Sequence, residues 1–93
     1  MSIFELPGED FVRQGLEDLR AGRRSVPALL VASASQRLTA LGFEVPEFEG
    51  GRPSHELYDL LAAEDADSAH ARYNALMRRL VSYVRAADHA AAR

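Results

Sequence analysis

The last quarter of the chain sets the terms for everything before it. At 100° per residue, Ala69, Tyr73, Leu76, Met77, Leu80, Tyr83, Val84, Ala87 and Ala91 fall inside one arc of about 120°, the pattern of a long helix buried along one stripe. A helix over 67–90 is on the order of 36 Å long at 1.5 Å per residue. A chain of 93 residues holds one core, so 1–93 reads as a single domain whose other elements must cover that stripe. No run alternates apolar and polar residues as a half-buried strand would. The expected fold is therefore all-α, a compact four-helix bundle with a long C-terminal helix.

The other three helices carry start and stop signals. The first opens with Glu9 and Asp10, acids that complement the helix dipole, buries Phe11, Val12, Gly15, Leu16 and Leu19, and stops at Gly22. Ser25 is a good N-cap for the second, predicted over 26–41, with Pro27 in the first turn. That helix is apolar nearly all round, as a central helix would be, with Leu30, Leu38 and Leu41 on one face and Leu29 opposite. Gly42 followed by Phe43 matches a left-handed cap whose next side chain packs back on Leu38. Residues 43–53 read as a loop pinned by Phe43, Val45 and Phe48. Ser54 is the expected cap of a short third helix over 55–64, and the acidic stretch from Glu64 to Asp67 is read as a break. The predicted core is Phe11, Leu16, Leu19, Leu30, Leu38, Leu41, Leu57, Leu61, Tyr73, Leu76, Leu80 and Val84.

Composition narrows the function classes. There is no cysteine, hence no disulfide framework and no thiolate chemistry. The longest apolar run, residues 26–32, is far short of the roughly 20 needed for a bilayer span, and the start lacks the basic region of a signal peptide, so the expected compartment is the cytoplasm, with no membrane partner. All eleven basic residues are arginine, which fits a GC-rich bacterial genome as readily as a ligand-binding demand.

The sequence holds no dinucleotide fingerprint, Walker loop, zincin pair or nucleophile elbow. Asp65, Asp67 and His70 begin like a calcium loop, but Ala69 has no side-chain oxygen and His70 stands where glycine is required. Three constellations remain. His70 with Asn74 one turn on, and Glu64 and Asp67 upstream, could serve acid–base or metal-dependent hydrolytic chemistry, although one helix supplies too few ligands and neither a metal nor any cofactor is expected. Arg20, Arg23, Arg24, Arg78 and Arg79 could contact phosphates. The net charge of −3 and the interleaved acids Glu17, Asp18 and Asp88 argue against nucleic acid as the partner.

The third constellation is the long helix itself. Its end, with Tyr83, Val84, Ala87 and Ala91, overhangs shorter neighbours, and small residues including Ala75 and Ala86 line its other side, where another helix can approach closely. These features point to a non-catalytic helical interaction or regulatory module of a bacterial cytoplasm, partnered by a second copy of itself or by another helical protein. A small hydrolase and a nucleic-acid-associated protein are the alternatives.

Overall fold

The computed structural model describes residues 8–91. It contains five helices and, among the described residues, no strand: α1 (Glu9–Arg20), α2 (Val26–Ser33), α3 (Ser35–Ala40), α4 (Pro53–Glu64) and α5 (Ala69–Ala91). The all-α class is as expected, and α5 is the longest element at 23 residues.

The fifth helix arises because the predicted 26–41 helix breaks at Ala34, which leaves helical geometry at φ −117°, ψ 24°. The Ser33 hydroxyl donates to the Leu30 carbonyl at 2.6 Å, and the Ala34 amide bonds three residues back to Val31 at 3.0 Å. A serine hydroxyl competing for a carbonyl in this way bends or ends helices. The break turns Arg37 out to solvent. The other signals translate directly. Ser25 Oγ accepts from the Ala28 amide at 3.2 Å. Gly22 and Gly42, at φ 77° and 100°, close α1 and α3 with paired bonds: Arg23 N to Asp18 O at 2.8 Å and Phe43 N to Leu38 O at 3.1 Å are the outer ones. Helix α4 starts two residues earlier than read, with Pro53 in its first turn and Arg52 extended before it, so Ser54 lies inside the helix and does not cap it. The break before α5 is held by Asp65, whose carboxylate accepts from the Asp67 amide at 3.1 Å and the Ser68 hydroxyl at 3.0 Å.

Helix α2 is the hub. Five consecutive residues, Ala28, Leu29, Leu30, Val31 and Ala32, are all buried, which requires neighbours on every side. Helix α1 supplies the closest. Gly15 is what allows it: a Cβ there would sit 2.4 Å from both the Pro27 carbonyl oxygen and Val31 Cγ2. Helix α4 packs on another side of α2 and α5 packs on α4, reaching α2 near its middle. Leu38, Leu57, Leu61 and Leu80 complete the centre. The predicted core is displaced at its edges: Phe11, Leu19, Leu41, Tyr73, Leu76 and Val84 are half-buried against it, while Val12, Leu29, Val31 and Tyr83 occupy the interior.

The α1–α2 turn carries the densest polar network. Asp18, whose side chain is 8 % exposed, accepts from Ser25 Oγ at 2.6 Å, Arg23 Nε at 3.0 Å and Gln14 Nε2 at 3.0 Å. The Ser25 hydrogen bond, helped by Arg23 and Gln14 and opposed by burial, holds the carboxyl below its ordinary 3.8.

Two outcomes test this frame. Gly15→Ala gains about 1 kcal/mol of helix propensity, but the obstacle is a backbone oxygen, so overpacking of roughly 1 to 3 kcal/mol or more should prevail and lower the urea midpoint. An unchanged or raised midpoint would show that α1 and α2 separate freely. The second concerns pH. Because folded Asp18 gives up its proton more readily than the unfolded chain does, its stabilising contribution is full above 3.8 and is lost as pH falls through the lower folded value. Asp18→Asn should therefore lose stability at pH 7 and show a shallower further loss below about pH 4 than the parent. Parallel acid profiles for the two proteins would assign the acid sensitivity elsewhere.

Candidate functional site

Two surfaces of α5 carry accessible chemistry. The first lies between α4 and α5. The turn at 65–68 folds α5 back along α4, and residues one turn apart on each helix then face one another: Ser54, His55, Tyr58 and Asp59 from α4, His70, Tyr73 and Asn74 from α5. They line an open cleft of about 360 Å³. Tyr58 forms its corner, standing edge-on to Tyr73 at 5.5 Å between centroids and to His70 at 6.5 Å, with interplanar angles of 62° and 64°. Asn74 Nδ2 lies 3.1 Å from His70 Nε2.

The expected pairing of His70 with Asn74 is present. Glu64 and Asp67 do not join them: Glu64 is bonded to Arg72 at 2.9 Å, Asp67 follows the Asp65 turn, and neither lines the cleft. Among the described residues no three histidine, aspartate or glutamate side chains converge as a metal site would need. Ser54, His55, Tyr58, Asp59 and Tyr73 are the cleft residues not foreseen as a site. Their signal was the short acidic turn, which fixes an antiparallel pairing of α4 and α5.

The second surface is the outward face of α5, where Asn74, Met77, Arg78, Val81, Ser82 and Arg85 line a shallow trough. Met77 and Val81, one turn apart, are half-buried and form its apolar floor; Arg78 and Arg85 are exposed beside them. Arg78 Nε reaches only the Asn74 carbonyl, at 3.4 Å, and neither arginine is ion-paired within the described residues.

The strip expected to associate is redistributed. Tyr83 is 2 % exposed; Gly8 before α1 lies beside it, where an added Cβ would come within 3.4 Å of the Tyr83 Cβ, and the Phe43 ring lies 6.4 Å away. Burial pushes its phenol above the ordinary value, and the carboxylate of buried Glu9, itself 3.3 Å from Arg13, adds to this. Val84 and Ala87 pack against the core of their own chain, Ala86 is half-buried and Ala75 is exposed. The side chain of Ala91, and the segment with Ile3, Phe4 and Leu6, lie outside the described residues. No helix among those residues is long and apolar enough to cross a membrane.

The arginines do not form one basic patch. Arg23 is bound to Asp18. Arg24 clamps the 43–52 loop: its Nε meets both Glu56 carboxylate oxygens at 3.0 Å, its Nη2 donates to the Glu49 and Gly50 carbonyls, and its guanidinium lies 4.3 Å over the Phe48 ring. Arg79 covers Phe11 at 5.4 Å, and Arg20 is exposed. No family model, no curated protein and no solved structure matches the chain.

Proposed function

We propose that the protein is a non-catalytic helical interaction module of a bacterial cytoplasm, and that it docks an amphipathic partner helix on the outward face of α5. The observation that carries this reading is the trough itself: an apolar pair at helical spacing, Met77 and Val81, bordered by Arg78 and Arg85, which pair with no carboxylate among the described residues. A helix laid in such a trough buries its apolar residues on the floor and sets its flanking side chains against the guanidiniums. The charge favours an acidic partner. No carboxylate lines the trough, so a second copy seated face to face would gather four guanidiniums with nothing to neutralise them. The arginine-only basic set fits the bacterial setting.

The test is fluorescence anisotropy with a labelled amphipathic helix whose apolar stripe is flanked by glutamates. Binding should saturate and weaken several-fold between roughly 0.1 and 1 M salt, as the Debye length falls from about 10 to about 3 Å. Arg78→Glu with Arg85→Glu should abolish it while leaving the circular dichroism spectrum intact, since both side chains are exposed. Light scattering is read in parallel. A particle at twice the 10.2 kDa chain mass, lost on Val81→Glu, would make the occupant a second copy. Absence of both peptide binding and self-association would end this reading.

A further inference from the structure

We propose that the cleft between α4 and α5 is a binding site for a small organic cation, a primary or quaternary ammonium carried on an apolar body. The site lies on the α4 side of α5 and shares only Asn74 with the trough on the outward face.

Shape comes first. At about 360 Å³ the cleft lies at the small end of ligand sites, which run from about 300 to 1,000 Å³. Its walls are rings: Tyr58 meets Tyr73 and His70 at steep angles, so a guest in the corner faces aromatic surfaces in two orientations. Ring faces carry the negative part of the aromatic quadrupole and attract cations.

Charge then selects the sign of the guest. Asp59 is the only carboxylate lining the cleft, and no arginine lines it. Asp59 is exposed and has no ion-pair partner within the described residues, whereas Glu9, Asp18, Glu56 and Glu64 each hold an arginine. An anionic guest would meet that carboxylate, with His55 and His70 the only basic side chains in the lining. An ammonium gains both the carboxylate and the ring faces. Bare metal ions are poorly served, because the cleft brings together no three-ligand group.

Rigidity supports the same conclusion. Asn74 Nδ2 lies 3.1 Å from His70 Nε2, and the Tyr58 ring contacts both Tyr73 and His70, so the corner exists before a ligand arrives. Ser54 and the two phenols are left to hydrogen-bond polar substituents on the guest's body.

The experiment is a titration followed by two-dimensional amide NMR, with phenethylammonium and choline as probes and phenylacetate as the charge-reversed control. Both cations should shift the signals of residues 54–59 and 70–74 and saturate below about 20 mM, while phenylacetate should not. Asp59→Asn, a surface change that leaves the core untouched, should weaken binding at least about fivefold. Tyr73→Leu should do the same, and Tyr73→Phe, which keeps the ring, should retain affinity and thereby separate loss of the aromatic wall from loss of folding. Lack of saturation with either cation would overturn the proposal. So would an equal response to phenylacetate, or full affinity in Asp59→Asn.

Discussion

The structure depends on the missing side chain at Gly15. Because nothing projects there, the Pro27 carbonyl and the Val31 side chain enter the surface of α1, and the two helices lie closer than any larger residue would permit. That proximity brings Asp18 to the first turn of α2, where the Ser25 hydroxyl both donates to its carboxylate and accepts from the Ala28 amide. One serine thus joins the helix cap to the turn before it. With one side of α2 sealed by α1, the remaining sides become a floor for α4 and α5. The cleft and the trough are then fixed by how α5 lies on that floor.

Local chemistry was readable at most positions where a single residue type determines a backbone geometry, Ser54, which lies inside α4 and does not cap it, being the exception. Gly22, Gly42 with Phe43, and Ser25 with Pro27 each act within one turn, and each sits where its spacing places it. What the pattern could not convey was tertiary. A helical arc marks a face but not which edge of it a neighbour covers, so Val12 is interior and Phe11 marginal, and Leu29 is buried although it points away from Leu30. The break at Ala34 hinges on one hydroxyl choosing a carbonyl within its own chain, a choice open to any helical serine. The overhang of α5 was real in length, yet the start of α1 and Phe43 fold over Tyr83 and shelter it.

The site residues show the same division. Reading along the chain from His70 finds Glu64 and Asp67, which are near in sequence. Folding α5 back on α4 instead brings His55, Tyr58 and Asp59 across from it, 11 to 15 positions away. The arginines follow a comparable logic. Those near the α1–α2 turn are engaged internally, Arg23 with Asp18 and Arg24 with Glu56 and the loop carbonyls. Those on the outward face of α5 are not. A basic side chain with no partner inside the described fold is one whose charge is available to something outside it.

The encirclement of α2 has a dynamic consequence. A helix of eight residues is too short to persist alone in water, so it can exist only while α1, α4 and α5 surround it. Its amide hydrogens cannot reach solvent through local fraying, because opening α2 means removing its neighbours. They should exchange with deuterium only in step with global unfolding, whereas the last turns of α5 exchange through small openings at little cost. An element too short to persist in isolation is thereby among the longest-lived in the assembled fold, and the protein behaves as one cooperative unit built around it.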